Sequence, residues 1–155
     1  MAIEIERKFL IHQNIWKQQL PELTLQIKQA YIAHENNCTI RIRTSNEKAY
    51  LTIKGKTQNI SRDEFEYEIP YKDAEQLFAF SDITIIEKSR HIIYYDNKKW
   101  EIDEFLGLNA GLFVAEIELE SEDEKITFPS WIANEVTNDA RFRNSSLAKT
   151  PITEW

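Results

Sequence analysis

The tightest constraint on this chain is an alternation of charged and apolar residues that returns in segment after segment. In Ile3-Glu4-Ile5-Glu6-Arg7-Lys8-Phe9, Glu4, Glu6 and Lys8 share one face of an extended chain, with Ile3, Ile5 and Phe9 on the other. Successive side chains of a strand point to opposite sides, so this spacing predicts a strand over 2–11. In one strand the charged face would simply meet water. Here nearly every strand-like segment has such a face, and the repetition needs a common cause.

The chain then reads as follows. Residues 14–20, closed by Pro21, suggest a short helix capped by Asn14. A second strand is expected over 24–34, with a turn at Glu35-Asn36-Asn37. Arg41 and Arg43 share a face in 39–43, and Ser45-Asn46-Glu47 turns the chain. Lys54 lies opposite Leu51 and Ile53, Gly55 ends that strand, and 56–61 is a polar loop. In 62–69, Arg62, Glu64, Glu66 and Glu68 oppose Phe65, Tyr67 and Ile69. Residues 73–80 read as a helix. A long strand over 84–95 carries Lys88 and Arg90 on one face, and Asp96-Asn97 turns it into 100–105. After a loop from Gly107 to Gly111, a last strand over 112–120 sets Glu116, Glu118 and Glu120 opposite Phe113, Ala115, Ile117 and Leu119. The tail is expected to be loop with short helices at 130–135 and 144–148. Phe78, Phe80, Ile83, Ile85 and Ile86 read as core, the four tryptophans as packing residues, and Glu68 and Glu120 as solvated.

Length and composition narrow the class. At 155 residues the chain suits one domain with a sizeable core. It has no apolar run near the roughly 18 residues that cross a bilayer, and its charged start is not expected to be a signal peptide. A single cysteine, Cys38, points to a reducing cytoplasm. A net charge of −7 argues against a general nucleic-acid surface, but not against an anion held locally.

About eight strands joined mostly by short turns imply antiparallel neighbours. Two architectures fit: an open sheet with its charged face in water, or a closed barrel with a charged interior and helices on its apolar exterior. The charged faces collect seven cations (Lys8, Arg41, Arg43, Lys54, Arg62, Lys88, Arg90) against eight acids (Glu4, Glu6, Glu64, Glu66, Glu101, Asp103, Glu116, Glu118). Like charges two residues apart are unfavourable unless a ligand of opposite sign separates them. Doubled carboxylates suit hard divalent cations, and doubled Arg and Lys suit phosphate. Both together suit a metal-bound polyphosphate.

Glu4-x-Glu6-x-Lys8 resembles the signature of the CYTH superfamily, the triphosphate tunnel metalloenzymes. The resemblance continues in order through Gln29-Ala30-Tyr31-Ile32, Arg41-x-Arg43, Leu51-Thr52-Ile53-Lys54-Gly55, Arg62-x-Glu64-x-Glu66, Glu87-Lys88-x-Arg90, Asp103-x-Phe105 and Glu116-x-Glu118. It ends in Glu135-Val136-Thr137 and Arg141-Phe142-Arg143-Asn144. It implies a mainly β (α+β) fold: one domain, a closed eight-stranded antiparallel barrel with a charged tunnel, wrapped by a few helices. It also implies two Mg2+ or Mn2+ ions on Glu4, Glu6, Asp103, Glu116 and Glu118, with Glu64 and Glu66 as further candidates. Lys8, Arg41, Arg43, Lys54, Lys88 and Arg90 would grip a triphosphate, with Arg62 added to them. Glu4, Glu6, Lys88 and Arg90 form the expected catalytic set.

The implied activity is metal-dependent hydrolysis of a phosphoanhydride, with inorganic triphosphate as the leading substrate. A class IV-type adenylyl cyclase, a thiamine triphosphatase and a non-catalytic polyphosphate- or nucleotide-binding module stay open; the His-Phe pair associated with the cyclase branch is missing. Expected partners are a triphosphate-bearing small molecule and, as one option, a second copy in a homodimer, with neither nucleic acid nor membrane. There is no GxxxxGK[ST] loop. His91 has the opposite parity to Lys88 and Arg90 and is expected outside the barrel.

Overall fold

The computed structural model describes residues 2–35 and 38–155. Nine strands dominate: β1 (Ala2–Ile11), β2 (Leu23–Glu35), β3 (Cys38–Ser45), β4 (Lys48–Gly55), β5 (Ser61–Ile69), β6 (Ile86–Tyr95), β7 (Lys98–Phe105), β8 (Phe113–Glu118) and β9 (Ile132–Glu135). The helices are α1 (Gln13–Trp16), α2 (Tyr71–Leu77) and α3 (Asn144–Lys149), with short 3-10 turns between elements. Of the turn expected at 35–37, Asn36 and Asn37 lie outside the described residues.

The strands run β5-β4-β3-β2-β6-β7-β8-β1, and β1 returns to pair with β5, so eight antiparallel strands close on themselves. The closing register sets Glu4 opposite Arg62 and Ile5 opposite Ser61. Closure removes the open sheet edges. It also settles the choice between architectures, because the shared charged face becomes the interior.

The hairpins follow from turn chemistry. Asp96 and Asn97 both take positive φ, 50° and 61°, between β6 and β7, as a two-residue turn of matching twist requires. Asn46 does the same, at 53°, between β3 and β4.

Most of the apolar core lies outside the barrel wall. Phe9, Ile11, Trp100, Ile102, Ala115 and Ile117 form one cluster with Trp16 and Trp131. A smaller one joins Ile42 and Ala49 to Ala74 of α2, with Phe78 against it. His91 is on the outer side as expected, bonded to Thr24 and Glu104 beside Trp16.

Several expectations need correcting. The first helix is a single turn that starts at Gln13, with no side-chain cap, and Asn14 is inside it. Packing holds it: the Trp16 ring meets Trp131 at 5.3 Å between centroids. The helix expected at 130–135 is instead β9. β5 covers β1 only from residue 2 to 5, which leaves the rest of that edge with unpaired backbone groups. β9 fills it, with Ile132 opposite Ile11 and Glu135 opposite Phe9. The second helix begins directly after Pro70 and gives way to a 3-10 turn over Phe78–Phe80. Phe80 is 65% exposed and does not belong to the core. Trp155 is also half-exposed, with its ring against Phe142 and Arg141.

The tail also does something different from wrapping the wall. Ile86, Phe105 and Val114 share strand faces with Lys88, Asp103 and Glu116, so they point inward. They meet Tyr31, Phe142, Leu147 and Ala148 in one buried cluster. α3 therefore covers part of one end of the barrel with an apolar plug.

Candidate active site

The barrel encloses a cavity of about 270 Å³. Alternation in each strand supplies its walls: Glu4, Glu6 and Lys8 from β1, Arg41 and Arg43 from β3, Lys54 from β4, Arg62, Glu64 and Glu66 from β5, Lys88 and Arg90 from β6, and Glu116 and Glu118 from β8. All the expected site residues except Asp103 line it. No His or Cys does, among the described residues.

The charges are unevenly neutralised. Glu4 is well served: Lys54 Nζ donates to it at 2.8 Å and Arg62 Nε at 3.2 Å. Burial opposes its ionisation, yet those two cations hold its carboxyl well below the usual range. Lys54 does not rise in return, because burial and the nearby Arg41 charge outweigh its gain from Glu4. Glu66 accepts from Thr52 at 2.8 Å and, at longer range, from Arg41 and Arg43. Glu64 lies 3.3 Å from Lys54.

Glu6 and Glu118 are the exceptions. They sit opposite each other across β1 and β8. The nearest cation to Glu6 is Lys8 at 3.7 Å. Burial, followed by the Glu116 charge, pushes its carboxyl up to about 7. Burial and the charges of Glu4 and Glu101 also raise Glu118. This is an electron-rich pole without enough positive charge. Arg41 and Arg43 form the opposite pole. Their Nε atoms are buried and unpartnered among the described residues. Burial and the adjoining Arg41 charge bring Arg43 down to about 10.

A model of the CYTH domain matches residues 2–151. The chain belongs to the CYTH domain family. It is 41% identical over 152 residues to an inorganic triphosphatase of Acetivibrio thermocellus, covering 97% of this chain and 96% of that protein. To an inorganic triphosphatase of Nitrosomonas europaea it is 31% identical over 152 residues, covering 94% and 96%. The crystal structure of an inorganic triphosphatase superposes with a TM-score of 0.66 at 28% identity, over 96% of this chain and 95% of that one.

Within this CYTH domain Asp103 is held behind the cavity surface. It is fully buried and binds Arg90 through both oxygens at 2.7 and 2.8 Å, and Lys88 Nζ at 2.8 Å. Burial disfavours its charge, but Arg90 and Lys88 more than compensate and keep it well below the ordinary range. Lys88 is the weaker partner: burial brings its ammonium down to about 8 despite Asp103. Glu116 accepts from Arg90 at 3.2 Å and lies 3.8 Å from Lys8. Glu101 accepts from Arg90 at 3.1 Å.

Sequence reasoning gave no role to several residues of the CYTH cavity: Tyr31, Thr39, Lys99, Arg143, Asn144 and Ser145. Lys99 has the same parity as Glu101 and was findable on that ground. Arg143, Asn144 and Ser145 come from the start of α3, which no periodicity connects to the barrel. Asn144 Oδ1 accepts from Lys88 Nζ at 2.9 Å and gives that ammonium a second fixed partner besides Asp103.

Among the described residues, no three His, Cys, Asp or Glu side chains group closely enough to hold a metal ion by themselves. A Mg2+-like ion takes as few as one or two carboxylates and fills the rest of its shell with water or phosphate oxygens. The under-neutralised Glu6 and Glu118 are the two carboxylates that could serve as such donors.

Proposed function

We propose that this protein is a divalent-metal-dependent triphosphatase that hydrolyses inorganic triphosphate. One observation carries the reading: a single enclosed cavity with carboxylates short of cations at one pole and guanidinium groups short of anions at the other. A metal–triphosphate complex is complementary to both. The two curated relatives, each named an inorganic triphosphatase, support the same substrate.

Phosphoryl transfer asks a protein chiefly for positioning and charge neutralisation. Glu6 and Glu118 are the proposed principal metal ligands, with Glu4 and Glu116 beside them. A bound Mg2+ or Mn2+ would offset phosphate charge and acidify a water. Arg41, Arg43 and Lys54 would bind phosphate oxygens. Lys88 and Arg90, oriented by Asp103 and Asn144, would stabilise charge on the pyrophosphate as water attacks the terminal phosphorus and the P–O–P bond breaks. The products are orthophosphate and pyrophosphate. Asp103 thereby takes a positioning role in place of metal binding. A cyclase or thiamine triphosphatase would also need a surface for a ring, and among the described residues the only aromatic side chain lining the cavity is the buried Tyr31.

The test offers purified protein triphosphate, ATP and thiamine triphosphate with Mg2+ or Mn2+, and measures orthophosphate and cyclic AMP. The expected result is metal-dependent orthophosphate release, fastest from triphosphate, with no cyclic AMP. Cyclic AMP as the main product would replace this reading with cyclase chemistry.

A further inference from the structure

The connection between β7 and β8 carries a buried polar side chain, Asn109, that is 2% exposed. Gly107 and Gly111 flank it at φ 63° and 95°, backbone that favours glycine. The side chain reaches out of its own loop. Its Nδ2 donates to the Leu147 carbonyl in the last turn of α3 at 3.4 Å, and its Oδ1 accepts from the Ile152 N–H at 2.9 Å. Both partners need it. The last carbonyls of a helix have no partner within it, and neither do the first N–H groups of the next turn. Leu147 is fully buried, and Ile152 opens the 3-10 turn Ile152–Glu154. Only one orientation of the amide serves both, since the flipped one sets donor against donor and acceptor against acceptor.

At its other end α3 meets the active site. Asn144 lies three residues before Leu147, on the same helix face, and accepts from Lys88 Nζ at 2.9 Å. The other acceptor of that ammonium is Asp103 of β7, at 2.8 Å. An ammonium has three N–H donors. With two held by Asp103 and Asn144, one is left for a phosphate oxygen in the cavity. The two acceptors stand on different elements, and Asn109 ties those elements together: it belongs to the β7–β8 connection and holds the end of α3. A backbone tether adds to it, with Thr84 N–H donating to the Ala148 carbonyl at 3.2 Å.

We propose that Asn109 is a positioning residue for hydrolysis: by fixing α3 to the β7–β8 connection it sets the spacing of Asn144 and Asp103, and so the direction of the free N–H of Lys88. This rests on the triphosphatase reading of the barrel cavity. Asn109 is not part of the cavity lining, so it acts only through other residues. Without it Leu147 and the Thr84–Ala148 bond still hold α3, but the helix end is free to shift. A misplacement of about 1 Å, even from a change far from the chemistry, can cost about a hundredfold in rate. The loss belongs on kcat. Lys88 serves the charge that grows on the pyrophosphate as the P–O–P bond breaks, whereas the charge of the bound triphosphate is shared with Arg41, Arg43 and Lys54.

The test measures steady-state kinetics on triphosphate with Mg2+, and triphosphate binding with the non-turnover ion Ca2+. Wild type, Asn109→Ala, Asn144→Ala and the double variant are compared at a temperature where circular dichroism shows each folded. Asn109→Ala should lower kcat at least about tenfold, with KM and Ca2+–triphosphate affinity changed less than about twofold. In the Asn144→Ala background the same substitution should lower kcat less than about twofold, because residues that act through one contact are not additive. Equal fold-losses in the two backgrounds overturn the proposal, as does a folded Asn109→Ala with wild-type kcat or a loss carried by KM. If Asn109→Ala does not fold, Ile152→Pro takes its place. It deletes the N–H that Asn109 accepts, at the first position of a turn, where proline is tolerated. Pro151 already has the extended backbone that a following proline requires, with φ −59° and ψ 157°. Ile152→Ala is the control, trimming the side chain and keeping the N–H. Ile152→Pro should lose more kcat than Ile152→Ala, and the excess should vanish with Asn144→Ala; equal losses overturn the proposal. Failure of wild type to release orthophosphate from triphosphate with Mg2+ or Mn2+ is a separate readout, and overturns the triphosphatase reading instead.

Discussion

Glu6 and Glu118 face each other with no hydrogen-bonded cation between them, whereas Glu116 is held by Lys8 and Arg90. Their neutral amides should therefore behave differently. Glu118→Gln removes repulsion and should leave the metal-free fold as stable or more stable. It should also lower metal-dependent turnover by at least about a hundredfold, if loss of a metal contact costs about 3 kcal/mol of transition-state stabilisation. Glu116→Gln strands two buried cations and should destabilise the fold. Urea unfolding and initial rates separate the two; full activity in Glu118→Gln would contradict its placement on the metal. Glu6 also sets a pH dependence. Its carboxyl lies near 7 in the fold against 4.5 for the free side chain, so the folded state retains a proton that the unfolded chain releases. Its contribution to stability is fully present below about 4.5 and is lost as pH rises through 7, on the order of 2–3 kcal/mol. Unfolding of the metal-free protein between pH 5 and 8 should show this decline, and Glu6→Gln should flatten it. Parallel profiles would contradict the assignment.

At the scale of elements, the strands were legible because each carries its own alternation, and the Asp96-Asn97 turn because positive φ favours those residues. The short elements were not. β9 forms because β1 outruns β5, which is a fact about two other strands. α1 is fixed by contacts between Trp16, Trp131 and His91, not by a cap. The function of α3 was the largest omission: it brings Arg143, Asn144 and Ser145 into the cavity and is anchored by the fully buried Leu147. Leu147→Ala should cost about 2–5 kcal/mol of stability. Because α3 also supplies Asn144 to Lys88, the variant should lose activity at temperatures where it remains folded. Circular dichroism melting followed by assays well below the midpoint would check both. A destabilised variant with unchanged activity would show that α3 closes the barrel without shaping its site.

At the scale of the molecule, parity could assign residues to faces but could not establish closure. That depends on pairing Glu4 with Arg62, 58 positions apart, and no local signal encodes it. Closure also changes the charge balance. Counted from the strands, the interior looked nearly neutral. In the fold Asp103 withdraws behind Arg90 and Lys88, while Lys99 and Arg143 enter, so the lining holds nine cations to seven carboxylates. An empty site of that kind should attract triphosphate only modestly. Two divalent ions at the carboxylate pole would add four positive charges where water screens poorly. At 4 Å and an effective dielectric near 20, each opposite-charge contact is of order 4 kcal/mol before desolvation, and about 1.4 kcal/mol is already tenfold in affinity. Metal and triphosphate should therefore bind with strong, reciprocal positive coupling. Calorimetric titration of triphosphate, with and without a non-turnover ion such as Ca2+, measures that coupling directly. Binding at least about tenfold tighter with the ion present is the predicted result. Equal affinity in the two titrations, with Ca2+ binding independently confirmed, would contradict a single site built from both poles of the barrel.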